Sequence, residues 1–81
     1  MTPDEFAQRL LLSFPKGIGI LIEPTPQMKT YDFILIQNGT RLGKVNVPAE
    51  QLVSITPSVI HMTLEVFKQY KRNADSKEVL V

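Results

Sequence analysis

The stretch TYDFILIQNGTRLGKVNVP, residues 30–48, decides the fold. Two runs of strand-forming residues flank Asn38-Gly39, and an Asn-Gly pair between such runs is the strongest short-range signal for a β-hairpin. The first run, Tyr31 to Ile36, is apolar on both faces, which is typical of a strand that is central or covered on both sides. The second run, Arg41 to Val47, alternates between apolar and polar residues, which is typical of a strand with one solvated face.

The register of this hairpin determines which apolar side chains meet the core, because successive side chains of a strand point to opposite faces. A two-residue type I′ loop at the Asn-Gly pair would set Ile34 and Ile36 against the face of Val45. A three-residue loop would instead pair Phe33 with Gly43. The sequence leaves both registers open.

In either register, some apolar surface remains on the sheet face that lies away from the core. Loops or the stems of long side chains could cover this surface. The alternative is a dimer or partner surface, because monomers rarely leave a contiguous apolar patch bare. The predicted protein-interface residues are Phe33, Ile34, Leu35 and Ile36.

The segment before the hairpin predicts a helix and a strand. Thr2 can cap a helix, Pro3 suits its first position, and Glu5 completes a capping box. Apolar residues follow at three- and four-residue spacing, so we place this helix at about residues 3–13. The run IGILIE, residues 18–23, predicts a short strand, and the prolines at positions 24 and 26 predict a loop after it.

The segment after the hairpin predicts a second long helix. Pro48 suits the start of a single helical turn, and Thr56-Pro57 supplies a cap followed by a proline. We expect the helix to end near Arg72 and the polar residues 73–78 to fray. The apolar end Val79-Leu80-Val81 is either a disordered terminus or a strand that adds to a sheet edge. The helix carries a wide apolar stripe that suits packing on a sheet, made of Val59, Ile60, Met62, Leu64, Val66, Phe67 and Tyr70.

The order of these elements predicts an α+β fold of the form αβββα, with a three-stranded antiparallel sheet covered on one face by two helices. We expect residues 1–73 to form a single domain and residues 74–81 to form a flexible C-terminal tail. A chain of 81 residues buries only about 60–65% of the surface of its unfolded state, so association into a homodimer would help its stability.

The composition bears on several classes of function. The absence of cysteine removes disulfides, thiolate catalysis and cysteine-rich zinc sites, and it favours a cytoplasmic location. No apolar run approaches the roughly 20 residues of a membrane span, so we expect no membrane partner. His61 is the only histidine and lacks the further ligands of a zinc site. We therefore expect no catalytic residue, no metal and no cofactor.

The basic residues form two local groups, although the net charge is only +1. The predicted nucleic-acid-binding residues are Lys68, Lys71 and Arg72 on the second long helix, with Arg41 and Lys44 on the third strand. Such residues contact the phosphates of RNA or DNA and position the nucleic acid without reading its sequence. Cations also suit a helix C-terminus, which would explain the helix group without any ligand.

The stretch Lys44-Val45-Asn46-Val47-Pro48, followed by Leu52 and by Thr56 leading into Ile60, resembles the C-terminal half of HicA (YcfA-type) toxins. That family has a helix, three strands and a helix, in a fold similar to a double-stranded RNA-binding domain. Its RNA cleavage depends on a histidine early in the second strand, where this sequence has Lys29-Thr30-Tyr31-Asp32. The resemblance therefore implies an RNA partner and a non-cleaving relative that keeps the scaffold.

Two hypotheses for the function follow. The first is a non-catalytic nucleic-acid-binding module that uses the five basic residues. The second is a protein-interaction module, such as a small inhibitor, accessory or dimerising protein, that uses the uncovered sheet face or the C-terminal tail. The element order favours the first hypothesis, and the near-neutral charge favours the second.

Overall fold

The computed structural model describes residues 1–54 and 57–79. Its elements, in chain order, are α1 (Pro3–Leu11), β1 (Ile18–Thr25), β2 (Thr30–Gln37), β3 (Thr40–Pro48), α2 (Ala49–Val53) and α3 (Pro57–Val79). The strands form one antiparallel sheet in the order β1-β2-β3, with α1 against β1 and α3 against β3. The predicted α+β fold with a three-stranded antiparallel sheet is confirmed, and α2 is a short additional helix.

The hairpin between β2 and β3 has a two-residue turn. Asn38 and Gly39 both have positive φ, 52° and 80°, as a type I′ turn requires at its two central positions. Gln37 and Thr40 form the pair that closes the turn. The first of the two predicted loops is therefore the one that forms.

A β-bulge in β3 changes which side chains of β2 share a face with Val45. Ile36 pairs with Arg41, but Leu35 pairs with Gly43, so Leu42 is one extra residue in β3. Because a one-residue shift moves every side chain to the other face, Phe33 and Val45 now pair on the core side. The prediction that a two-residue loop sets Ile34 and Ile36 on the face of Val45 was wrong.

The core lies between the sheet and the two helices α1 and α3. The side chains of Phe6, Leu10, Phe33, Leu35 and Phe67 are fully buried there. The rings of Phe6 and Phe33 meet edge to face with their centroids 4.9 Å apart. The capping box predicted at the start of α1 is present, since Glu5 N–H donates to Thr2 Oγ1 and Thr2 N–H donates to Glu5 Oε1.

Three element boundaries differ from the predictions. Helix α1 ends at Leu11, and β1 runs past Pro24 to Thr25, which is possible because β1 is an edge strand and loses no bond to a second neighbour. Helix α3 continues to Val79, so the prediction that it ends near Arg72 was wrong, and residues 74–79 of the expected tail are helical. The predicted cap at Thr56 and the end of the apolar tail, Leu80 and Val81, lie outside the described residues.

Asp75 accounts for part of the extra length of α3. Its carboxylate accepts hydrogen bonds from Gln37 Nε2 at 3.4 Å and from Lys71 Nζ at 2.7 Å. The first bond joins α3 to the central strand, and the second joins two successive turns of the helix. The bond from Gln37 holds the part of α3 beyond Arg72 against the sheet, and the bond from Lys71 stabilises the helix itself.

Tyr70 joins α3 to the edge of β3. Its hydroxyl donates to the carbonyl of Lys44 at 3.1 Å, and its ring lies on Gly43, where an added Cβ would come within 2.6 Å of the ring. Only a glycine allows this approach. The contact sets how closely α3 approaches β3 at this point.

Candidate functional site

The five predicted phosphate-binding residues do not form one surface. Arg41 pairs with Ile36 and Lys44 pairs with Ile34, so both basic side chains stand on the outer face of the sheet. Lys68, Lys71 and Arg72 belong to α3, which covers the inner face. The sheet itself therefore separates the two groups.

Acidic side chains lie within 4 Å of three of these five residues. The guanidinium of Arg41 lies 3.3 Å from Glu23 Oε1. Lys44 Nζ is 3.8 Å from Asp32 Oδ2, and Lys71 Nζ is 2.7 Å from Asp75 Oδ2. Across the described part of the chain, Lys68 and Arg72 form no ion pair. Less cationic charge is therefore free for phosphate than the sequence suggests.

The end of α3 does not explain the basic group on this helix. Cations gain from the helix dipole within the last turn, whereas α3 continues beyond Arg72 to Val79. Lys71 instead donates a hydrogen bond to the carboxylate of Asp75. The hydrogen bond from Lys71, with a further one from Gln37, holds the pKa of the Asp75 carboxyl below its usual range.

The four predicted interface residues offer little apolar surface. Phe33 and Leu35 are fully buried in the core, on the sheet face that the helices cover, so their assignment to an outer surface was wrong. Ile34 is on the outer face but is only 3% exposed. Ile36, its neighbour on that face, is half-buried.

Long side chains cover Ile34. The ion pair between Arg41 and Glu23 joins β3 to β1 and so crosses the central strand on this face. Lys44, the partner of Ile34 in the adjacent strand, borders the same shallow depression. Of the two alternatives for the outer face, covering by side-chain stems is the one that the structure shows for Ile34.

A groove of about 260 Å³ lies between β3 and the first half of α3. It is lined by Val45, Asn46, Val47, Gln51, Val59, Met62, Thr63 and Val66. None of these side chains carries a charge. Met62 is 68% exposed and Val66 is 40% exposed, so apolar side chains on the α3 side of the groove face solvent.

Sequence reasoning missed this groove, although the apolar stripe of α3 contains a signal for it. Viewed around the helix axis at about 100° per residue, Met62 lies at one margin of the stripe and Leu64 at the other. The arc between them, which contains the other apolar residues of the stripe, is about 200° wide. A helix that packs on one surface needs an apolar arc of only about 100°. Leu64 is half-buried, whereas Met62 at the other margin is open to solvent. The excess width of the stripe predicts a second apolar contact.

The described residues show no cluster of side chains typical of a metal site. Residues 1–54 and 57–79 contain no group of three or more histidine, cysteine, aspartate or glutamate side chains that could hold a metal ion. His61 lies on the exposed side of α3. No helix within the same residues is long and apolar enough to cross a membrane.

Comparison of this chain with known protein families, with curated proteins and with solved structures found no match in any of the three.

Proposed function

We propose that this protein is a non-catalytic protein-interaction module that binds its partner in the groove between β3 and α3. The observation that carries the proposal is the exposure of Met62 and Val66 beside an uncharged groove. Full burial of a side chain of this size contributes about 1.5–3 kcal/mol. Two such side chains supply the centre of an interface that a polar rim could complete.

The other surfaces support a protein partner less well. Side-chain stems cover Ile34 on the outer face of the sheet, and Arg41 and Lys44 there have acidic neighbours. An uncharged apolar groove suits a partner with apolar side chains and does not suit a polyanion, because burying a charge without a counter-charge is costly. The absence of cysteine supports the further proposal of a cytoplasmic location.

Site-specific crosslinking tests this function. A photoreactive phenylalanine analogue is placed at position 62 of the full chain, and irradiation is carried out in the cells that produce the protein. The matched control carries the same analogue at position 12, because Leu12 is 86% exposed and does not line the groove. We expect a discrete crosslinked product from position 62 and none from position 12. Absence of a product at position 62, or equal products at both positions, would contradict the proposal.

A second candidate function is nucleic-acid binding. The observation in its favour is the positive charge of Lys68 and Arg72 on α3. They lie four residues apart on α3, so their side chains share one face of the helix, and no acidic side chain of the described chain pairs with them. The element order agrees with the resemblance to HicA toxins, which would make RNA the partner and this chain a non-cleaving relative. The separation of the basic groups by the sheet restricts this candidate to few phosphate contacts.

A further inference from the structure

We infer that the partner inserts an extended segment that pairs antiparallel with the free edge of β3 as a fourth strand. Its apolar side chains would face α3, and an acidic side chain would face Lys44. This inference rests on the proposed function and specifies the chemistry of the partner. Four observations carry it, and they concern the backbone of β3, the lining of the groove, the charge on the outer face and the length of the free edge.

Two hydrogen bonds determine which backbone groups of β3 point to the free edge. Ala49 N–H donates to Lys29 C=O at 2.9 Å, toward β2, whereas Lys44 C=O accepts from Tyr70 on the side of α3. In an antiparallel ladder, the N–H and C=O of one residue point the same way, and successive residues alternate. Lys44, Asn46 and Pro48 therefore present their backbone groups to the free edge. Asn46 offers both a donor and an acceptor there.

The groove determines the inner side chains of an added strand. Asn46 lies in the same groove as Met62 and Val66, so a strand paired with Asn46 would place every second side chain beside them. The groove lining has no charged side chain. A charged residue at these positions would lose its hydration without gaining a partner, so the inner positions of the segment are apolar.

Lys44 determines the outer side chains. Its side chain is 67% exposed, and its nearest carboxylate, on Asp32, is 3.8 Å away, beyond the roughly 2.7–2.9 Å of a well-formed charged hydrogen bond. An acidic residue on the outer face of an adjacent strand would pair with this ammonium group. An exposed lysine on an edge strand also disfavours unspecific pairing, and it would repel a segment with basic residues at these outer positions.

The free edge of β3 is short, so recognition of the added segment depends on the side chains of that segment. Pro48 has no N–H to donate, and the carbonyl of Lys44 is already bonded to Tyr70. Backbone pairing is therefore limited to the segment from Lys44 to Pro48, with Asn46 at its centre. In strand addition, main-chain bonds contribute affinity and alternate side chains contribute specificity.

The test uses ¹⁵N-labelled full-length protein and capped heptapeptides. The parent peptide is TVEVEVT, and the charge control is TVKVKVT. In the free protein we expect rapid hydrogen exchange at Asn46 N–H, and we expect the parent peptide to slow it. The parent should bind about two- to fivefold more tightly than the lysine peptide. Lys44→Glu should reverse this preference.

Methylation of peptide nitrogens tests the strand geometry itself. Side chains directly opposite each other in a sheet share a face, so one glutamate of an antiparallel guest lies opposite Asn46 and the other lies opposite Lys44 or Pro48. Both glutamates therefore direct their N–H groups to β3. Methylation of both glutamate nitrogens should abolish binding. Methylation of the central valine nitrogen, whose N–H points away from β3, should leave binding within twofold.

Two substitutions test the groove, and each variant is first checked for an unchanged folded spectrum. Met62→Asp should abolish binding of the parent peptide, and Leu12→Asp should not change it. Binding that survives glutamate methylation, or that leaves Asn46 exchange unaltered, would overturn strand addition while crosslinking at position 62 still supports the groove. Slow Asn46 exchange that depends on protein concentration without peptide would identify a second copy as the occupant and would also overturn the inference.

Discussion

At Gly43, the ring of Tyr70 lies where any other residue would carry its Cβ. We predict that Gly43→Ala lowers the free energy of unfolding by about 1–3 kcal/mol, the usual cost of overpacking a well-packed site. The ring cannot move aside freely, because the Tyr70 hydroxyl is bonded to the carbonyl of Lys44. Chemical denaturation measures the change.

Two controls show whether the cost arises from this contact. Gly19→Ala adds the same methyl group at a strand glycine with no atom within 4 Å of the new Cβ, and it should be close to neutral. In a Tyr70→Ala background, Gly43→Ala should cost much less than in the native chain, because the colliding ring is gone. Equal costs in both backgrounds would mean that backbone conformation, and not Tyr70, requires the glycine.

The same contact explains why the hairpin register could not be predicted. Asn38-Gly39 predicts its turn from two adjacent residues, and the capping box of Thr2 and Glu5 is equally local. The extra residue in β3 has no such local signature. It brings Gly43 under Tyr70, which is 27 positions later in the chain, and only the packed helix reveals that need.

Among the elements, α3 shows most clearly what a single sequence predicts and what it leaves open. The helix and its apolar stripe follow from periodicity, and its start at Pro57 follows from the Thr56-Pro57 pair. Its C-terminal end depends on the bond between Asp75 and Gln37, which joins residues distant in the chain. The width of the apolar stripe can be seen in the sequence. The position of the groove cannot, because it depends on how far α3 extends over β3.

The attachment of α3 through Asp75 predicts a pH dependence. The folded-state pKa of Asp75 is lowered, first by the hydrogen bond from Lys71 and then by that from Gln37. Its contribution to stability is therefore complete above the ordinary carboxyl pKa of 3.8, and it is lost as the pH falls through the lower folded value. We predict that Lys71→Met raises the Asp75 pKa, measured by NMR titration of its carboxyl carbon.

Lys68→Met is the matched control for this titration. It removes the same charge from the same helix, but Lys68 forms no ion pair in the described part of the chain. We expect this variant to leave the Asp75 pKa close to its native value. An equal rise in both variants would show that general charge, and not the 2.7 Å bond from Lys71, lowers the pKa.

For the whole molecule, the placement of charge separates the two candidate functions. Met62 and Lys68 stand on different sides of α3, roughly 120° apart around the helix axis. Arg41 and Lys44 lie on the opposite face of the sheet from α3. The groove and the unpaired cations of α3 can therefore be tested independently, and a partner in the groove need not contact Lys68 or Arg72.

The whole-molecule charge arrangement also predicts the salt dependence of any nucleic-acid binding. The logarithm of the binding constant falls with the logarithm of the salt concentration, with a slope of about −0.9 for each phosphate neutralised on duplex DNA. Lys68 and Arg72 alone would give a slope of about −1.8, whereas five cations on one surface would give about −4.5. Because the sheet separates the two groups, we predict a slope no steeper than about −1.8. Labelled duplex DNA and double-stranded RNA, titrated from about 50 to 200 mM salt, measure it.

The double variant Lys68→Ala with Arg72→Ala should remove the binding, and Arg41→Ala with Lys44→Ala should leave the slope unchanged. A slope near −4.5 that depends on Arg41 and Lys44 would contradict the separation of the two groups. No binding at the lowest salt would eliminate the second candidate function and leave the groove as the proposed site.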